Sequence, residues 1–116
     1  DQGERGYPMA TLDELMGLPG AIAAITFAED GEIRDFRGDL TDDLAAMAGQ
    51  MCASNLGIFR MQADGWSRLT GQKGFLPEKG FAFMGLDFIV AAGEEQAVFL
   101  RKAQADFDRA FQLLGA

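Results

Sequence analysis

A short apolar run followed at once by a turn signal limits the fold of this chain more than any other feature. The run, Ala21–Ala28, is rich in Ile and Phe and too short for an independent helix, so we predict a strand. Asp30 and Gly31 follow, and this pair favours a type I′ turn, in which both central residues have positive φ. Glu32–Arg37 is the predicted return strand. It carries four charges, which suits an exposed sheet edge.

Two helices are predicted around this hairpin. Thr11 and Glu14 have the spacing of a capping box, so a short helix is expected to begin at Thr11. Thr41 is the predicted cap of a much longer helix, which we expect to run to about Asp64 before Gly65 ends it. The side of this helix that is predicted to cover the sheet has residues at helical spacing, most of them apolar. These are Leu44, Met47, Ala48, Met51, Cys52, Asn55, Ile58 and Phe59.

Three short strands and a last helix are predicted in the remainder. The strands are Phe81–Gly85, Leu86–Ala92 and Gln96–Arg101, and their brevity and tight spacing indicate an antiparallel meander. Ala103–Leu114 has one apolar face at helical spacing. The glycine-rich segment Gly65–Gly80 is predicted to be a loop or an irregular extension of the long helix.

Composition excludes several classes of function. A net charge of −8 and a pI near 4.3 argue against nucleic-acid or anionic-membrane partners, which need clustered Lys and Arg. The chain contains no histidine, which removes Ser-His and Cys-His catalysis and His-ligated metal or haem. We therefore expect a protein that is not an enzyme and that has no cofactor and no catalytic or metal site.

Length and cysteine content give the expected organisation. The 116 residues are enough for one domain with one core, assigned to residues 9–116. Residues 1–8 have no periodicity and are expected to be a tail, either native or left from cloning. No apolar run approaches the roughly 20 residues that span a bilayer. With a single cysteine, Cys52, and no recognisable signal peptide, we expect a soluble cytoplasmic protein.

Three possible sites have simpler structural interpretations. Gly71–Gly74 has the Gly-x-x-Gly spacing of a phosphate or nucleic-acid clamp but lacks the ending of a P-loop, so a flexible loop is predicted. Asp39, Asp42 and Asp43 lack the spacing of a calcium loop, and capping with helix-dipole complementarity accounts for them. Cys52 is expected to be a buried structural thiol.

One local motif and the order of the elements resemble the roadblock/LC7 fold. The motif is Leu18–Ile25 (LPGAIAAI) followed by Glu29–Ile33 (EDGEI), and the likeness of element order covers about residues 11–114. The resemblance implies an α+β fold of order α-β-β-α-β-β-β-α, with a five-stranded antiparallel sheet in the order 2-1-5-4-3 and helices packed on it. The resemblance extends to small bacterial relatives whose function is uncharacterised. Roadblock-like proteins are typically homodimeric, non-catalytic adaptors or regulators, and several act on small GTPases. We therefore expect a homodimeric regulatory or scaffold module that recruits another protein.

Two features predict how the homodimer forms. On the long helix, four small residues recur opposite the predicted core side: Ala46, Gly49, Ala53 and Gly57. They could let the backbone of a second helix approach closely. The alternative is that the helix merely tolerates small residues at these positions. By the resemblance, the strand Phe81–Gly85 is a sheet edge, and it carries no charge that would protect it. We expect it to pair with its own copy across a two-fold axis, or else to be covered by Trp66–Gly80. The predicted dimer interface is Ala46, Gly49, Ala53, Gly57, Phe81, Ala82, Phe83 and Met84.

The glycine- and aromatic-rich segment after the long helix is the predicted surface for a second protein. Its candidate residues are Trp66, Arg68, Lys73 and Lys79. Trp66 is interpreted either as an exposed anchor or as a cap over the end of the core. The three basic residues could meet an acidic partner.

The alternative function is that of a small-molecule sensor. It would hold an apolar ligand between the sheet and a helix, in a cavity of several hundred Å³. The predicted lining is Phe81, Phe83, Met84 and Phe88.

Overall fold

The computed structural model describes residues 9–71 and 74–115, so the predicted tail, residues 1–8, lies outside the described residues. Five strands form one antiparallel sheet in the order β2-β1-β5-β4-β3, which confirms the α+β class and the strand order implied by the resemblance. The elements are α1 (Leu12–Met16), β1 (Ala21–Phe27), β2 (Ile33–Gly38), α2 (Asp42–Thr70), β3 (Phe81–Met84), β4 (Phe88–Ala92), β5 (Gln96–Arg101), a 3₁₀ turn (Lys102–Gln104) and α3 (Phe107–Leu114).

Both predicted helix starts are confirmed. At α1 the Glu14 amide donates to Thr11 Oγ1 at 3.0 Å, and the Thr11 amide donates to Glu14 Oε1 at 2.9 Å. These two bonds complete the capping box. At α2 the Leu44 amide donates to Thr41 Oγ1 at 3.2 Å. Each hydroxyl satisfies an amide that has no partner inside its own helix.

The sheet is packed on both faces. On one face α1 and α3 enclose a cluster that includes Leu15, Val98 and Leu100. On the other face α2 lies across the sheet and packs on Ile25 and Phe27. Because every central strand is covered on both sides, the two apolar clusters hold the helices in place through burial rather than through helix propensity.

The β1–β2 turn differs from the predicted type I′ turn. Gly31 has a φ of 91°, but no non-glycine residue among those described has positive φ, so Asp30 does not take the conformation that type I′ requires. The Gly31 amide instead donates to the Ala28 carbonyl at 2.8 Å. The resulting longer turn brings the Gly31 carbonyl oxygen to the place where a Cβ on Gly49 of α2 would stand.

The predicted core side of α2 is confirmed at Ala48 and Cys52, which are buried, but it is displaced by part of a turn. Leu44, Met47, Met51 and Ile58 are exposed instead of facing the sheet. The physical reason is volume: the sheet supplies large side chains such as Phe27, so the helix approaches closely only where its own residues are small. The buried residues of α2 are Ala45, Ala48, Gly49, Cys52, Leu56 and Ala63.

The ends of two helices also differ from expectation. α2 continues past Gly65 to Thr70 and ends at Gly71, which has the left-handed conformation typical of a helix C-cap. A Cβ at Gly65 would have open space around it, so nothing there forces the helix to stop. α3 is shorter than predicted because the chain first makes the 3₁₀ turn and then restarts at its cap, Asp106. None of the helices in the described part of the chain is long and apolar enough to cross a membrane.

Candidate interaction surface

Large apolar side chains line the outward side of α2. They follow one another at alternating spacings of three and four residues, with Ser54 in the one polar position, which is the a/d pattern of a coiled-coil seam. The five apolar members are 46–68% exposed, and no position of the seam is charged. We call Leu44, Met47, Met51, Ser54, Ile58 and Met61 the α2 stripe.

Four members of the α2 stripe, Leu44, Met47, Met51 and Ile58, are predicted from the sequence to face the core, so the sequence analysis does not identify this exposed surface. The signal that could have identified it is a second periodic set on the same helix, formed by small residues. Ala45, Ala48 and Cys52 recur at helical spacing and are buried. A helix with two apolar sides has only one that can face its own sheet. The side with the smaller residues packs closest to it.

The structure divides the predicted small-residue interface. Ala46 and Gly57 are exposed, and nothing lies within 4 Å of a Cβ built on Gly57. Gly49 is buried, because a Cβ there would overlap the Gly31 carbonyl oxygen and come within 3.1 Å of the Ile33 side chain. Gly49 therefore does not face outward, and that part of the expectation is wrong.

Ala53 needs a similar correction. It is only partly buried, but it packs against the cluster formed by Ile25, Phe27 and their neighbours. A residue in this place borders the protein's own core and does not point away from it. A large or charged side chain at Ala53 would disturb the fold as well as any contact with a partner.

Cys52 lies on the sheet-facing side of α2, as expected for a structural cysteine. Its thiol is buried, and the loss of solvent raises the pKa of Cys52 to about 11. Because the thiolate is the reactive form, this thiol is poorly suited to nucleophilic or redox chemistry.

β3 is an edge strand, as the resemblance implied. Within the described residues it forms its ladder with β4 alone. Phe81 is buried, and its ring stacks on Phe59 with 5.4 Å between centroids. Phe83 and Met84 remain 64% and 53% exposed, so the described part of the segment before β3 does not cover this edge. Phe83 and Phe81 are two residues apart on a strand, so both are on the face of the sheet that carries α2.

The predicted partner surface is spread over two elements. Trp66 lies in the last turns of α2 and is half exposed, which agrees with an anchor better than with a cap over the core. Arg68 pairs with Asp64 one turn earlier at 3.1 Å, and Lys79 is exposed in the segment before β3. Lys73 lies outside the described residues.

An ion pair fastens the segment before β3 to the long helix. Arg60 Nε donates to Glu78 Oε1 at 2.8 Å, and the Glu78 side chain is largely buried. Such a charge-assisted bond is stronger than a neutral one, particularly where water is excluded from one partner. It positions the chain three residues before Phe81, where the edge strand begins.

The residues predicted to line a ligand cavity do not converge. Phe81 is inside the core, whereas Phe83, Met84 and Phe88 are about half exposed or more on the surface. Phe88 instead lies under the guanidinium of Arg101, which is 5.9 Å from the ring centroid. These four side chains therefore do not enclose a site between the sheet and α2.

Comparison with known proteins gives one family and one fold. The family DUF2173, described as an uncharacterized conserved protein, matches residues 11–116, whereas no curated protein matches. The roadblock/LC7 domain from Streptomyces avermitilis has a TM-score of 0.69 at 13% identity, over 89% of this chain and 84% of that one. A structure described as MglB with tetrameric arrangement has a TM-score of 0.68 at 14% identity, over 88% and 75%. The gliding protein MglB from Thermus thermophilus has a TM-score of 0.64 at 15% identity, over 88% and 76%.

Proposed function

The chain belongs to the DUF2173 family, whose fold here is of the roadblock/LC7 type, and we propose that it is a homodimeric regulatory module that recruits another protein. The observation that carries this proposal is the α2 stripe. Soluble monomers seldom expose a continuous apolar patch of this kind, and such patches usually mark a protein interface. The proposed role is non-catalytic and depends on the binding of other protein molecules at the surface of the domain.

The spacing of the α2 stripe favours a helix as its occupant. Residues at alternating intervals of three and four form a narrow seam, and a seam of that shape takes one neighbouring helix. A second α2 supplies the same seam, which suits the self-complementary contact of a two-fold dimer. The structure described as MglB with tetrameric arrangement is an example of this fold in an oligomer.

The β3 edge supports the same arrangement. If two β3 strands pair antiparallel about a two-fold axis, their unpaired backbone groups become partners and the two sheets join. Both α2 helices then lie on one side of the joined sheet. Phe83 of each protomer is on that side and next to the junction, where the other protomer's helix could cover it.

The recruited partner is proposed to be a protein, and small GTPases are the first class to test because several roadblock-like proteins act on them. Trp66 is the only tryptophan of the chain and is half exposed near the end of α2. Its fluorescence therefore reports binding at the proposed partner surface without a label. A titration with the small GTPases of the native host should change that emission. A Trp66→Phe variant should show no such change in emission.

The dimer is tested by placing charge on the α2 stripe. At micromolar concentration the wild-type protein should have twice the monomer mass of 12.5 kDa. Met51→Glu combined with Ile58→Glu should give the monomer mass with an unchanged circular dichroism spectrum, because both side chains are exposed in the single chain. Burying two unpaired carboxylates in an interface would be too costly.

Gln112→Glu is the control for this experiment. It adds a carboxylate at an exposed position of α3, which packs on the other face of the sheet from α2, so the dimer should persist. A wild-type mass of 12.5 kDa throughout the micromolar range, or a dimer that tolerates both stripe substitutions, would refute the proposal.

A further inference from the structure

Methionine is unevenly distributed in this chain. Three of its six methionines, Met47, Met51 and Met61, belong to the α2 stripe, where they are 51–68% exposed. A fourth, Met84, is exposed on the β3 edge. In contrast, the hydrophobic core of the described residues contains no methionine and is built from leucine, isoleucine, valine, phenylalanine, alanine and one cysteine. The thioether groups are therefore concentrated on the surfaces that the single chain leaves open to solvent.

A thioether in such a place is open to oxidation by a peroxide. The sulfur lone pair attacks one oxygen of hydrogen peroxide, the O–O bond breaks, and the proton of the attacked oxygen moves to the departing hydroxide, which leaves as water. Sulfur is oxidised by two electrons and the peroxide is reduced by two, with no change in the charge of the side chain. The product is methionine sulfoxide, a polar hydrogen-bond acceptor in place of an apolar group.

No accessible thiol competes for the oxidant. Cys52 is the only cysteine of the chain, and it is buried against the sheet, where the loss of solvent raises the pKa of Cys52 to about 11. Peroxides react with the thiolate, which is scarce at neutral pH when the pKa is this high. The exposed methionines are therefore the first sulfur atoms that a peroxide meets.

We propose that the α2 stripe is a reversible oxidation site, and that formation of methionine sulfoxide at Met47, Met51 and Met61 dissociates the homodimer. This inference rests on the proposed function, because it takes a second α2 as the occupant of the stripe. The dimer covers the thioethers, so oxidation occurs in the dissociated chain and keeps it from associating again.

The physical reason is the cost of burying a polar oxygen. Reduced methionine is apolar and flexible, so it adapts to an opposing helix. Each sulfoxide adds an acceptor to the contact, whereas Ser54 is the one member of the stripe that can donate a hydrogen bond. Most of the new oxygens therefore lose their water without gaining a partner from the stripe, which weakens the dimer.

Oxidation of the stripe leaves the fold of the single chain intact. The three methionines are exposed and none belongs to either core cluster. Met16 is the contrasting case, because it is partly buried and packs against the cluster beneath α1. Loss of the dimer with an unchanged circular dichroism spectrum is therefore the specific sign of oxidation at the stripe.

The experiment compares the full chain before and after treatment with hydrogen peroxide. Light scattering across the micromolar range gives the mass, and peptide mass spectrometry identifies the oxidised methionines. The reduced protein should be a dimer, and the Kd of the dimer should rise about a hundredfold once the three stripe methionines are oxidised. Methionine sulfoxide reductases A and B, supplied with a thiol reductant, should restore the dimer.

Two sets of conservative variants identify the methionines that are responsible. The triple variant Met47→Leu, Met51→Leu, Met61→Leu keeps the stripe apolar without thioethers, so it should stay dimeric in peroxide. The double variant Met9→Leu, Met84→Leu removes two exposed methionines outside the stripe and should dissociate as the wild type does.

The outcomes distinguish failure of this inference from failure of the proposed function. A reduced protein that is monomeric at micromolar concentration would overturn both. A reduced dimer that keeps its mass with all three stripe methionines oxidised, or a triple variant that dissociates in peroxide, would overturn the oxidation site alone. The same holds if the stripe methionines stay reduced in dilute protein while Met9 is oxidised, or if oxidation abolishes the circular dichroism spectrum.

Discussion

On the side of α2 that faces the sheet the residues are mostly alanine, glycine and cysteine, whereas the outward side carries leucine, isoleucine and methionine. Both sides are apolar and both repeat at helical spacing. The small residues allow the helix to approach the β1–β2 hairpin closely, to the point where Gly49 leaves no room for a Cβ. The comparison shows that residue size, not apolar character, distinguishes the side of α2 that packs within the chain from the side that stays exposed.

The largest expected effect comes from a pair of truncations, one on each side. Leu56 is buried, so Leu56→Ala should lower the free energy of unfolding by about 2–5 kcal/mol through lost burial and a cavity. Ile58→Ala on the outward side should cost the monomer far less, since its side chain is already half exposed. Denaturant unfolding of both variants under monomeric conditions measures the difference. Equal losses would mean that the two sides are not distinct.

The reactivity of a cysteine thiol should also differ between the two sides of α2. The expected effect is somewhat smaller than that of the truncations. At pH 8 Cys52, with its pKa raised to about 11, should react roughly a hundredfold more slowly than an exposed cysteine, because the thiolate is the reactive form. Ser54→Cys adds such a cysteine two residues away, on the α2 stripe. In protein dilute enough to be monomeric, this variant should show one fast and one slow equivalent with Ellman's reagent. Two fast equivalents would contradict the assigned burial.

Replacing glycine with alanine should change the free energy of unfolding in opposite directions at two positions of α2. Gly49→Ala should destabilise the fold by about 1–3 kcal/mol, because the new Cβ meets the backbone of the hairpin turn and that turn has to move. Thermal unfolding of this variant measures the loss. A wild-type stability would show that the hairpin does not dock at Gly49.

The second glycine is Gly57, and Gly57→Ala has the smallest expected effect. Nothing lies within 4 Å of a Cβ at Gly57, so the substitution should stabilise the monomer by about 0.5–1 kcal/mol through the lower entropy of the unfolded chain. The same unfolding measurement applies. A loss of stability here would indicate a contact at Gly57 that the single chain does not contain.

Local signals in the sequence were sufficient for most of the fold. The capping box at Thr11, the cap at Thr41 and the apolar run of β1 each determine an element through neighbouring residues alone. The strand order came from the resemblance, because pairing between strands distant in the chain leaves little trace in local pattern. The turn type was missed because Asp-Gly also fits a longer turn in which only the glycine has positive φ.

The candidate interaction surface was harder to predict from the sequence than the fold. The α2 stripe and the buried side of α2 are both periodic, and hydropathy favours the larger residues as core. Only the volume of the opposing sheet, with Ile25 and Phe27 beneath the helix, decides which side packs inward. The exposed β3 edge, in contrast, was anticipated because Phe81–Gly85 contains no charge and the resemblance placed it at the margin of the sheet.

The contact between Gly49 and the Gly31 carbonyl has a consequence for how this family can vary over evolutionary time. The group that a new Cβ at position 49 would meet is backbone, so no exchange of side chain in the hairpin turn can make room for it. A relative with a larger residue at position 49 should therefore carry a compensating insertion or deletion between β1 and β2. The length of the loop between β1 and β2 and the residue at position 49 should be inherited together, as a coupled pair of characters.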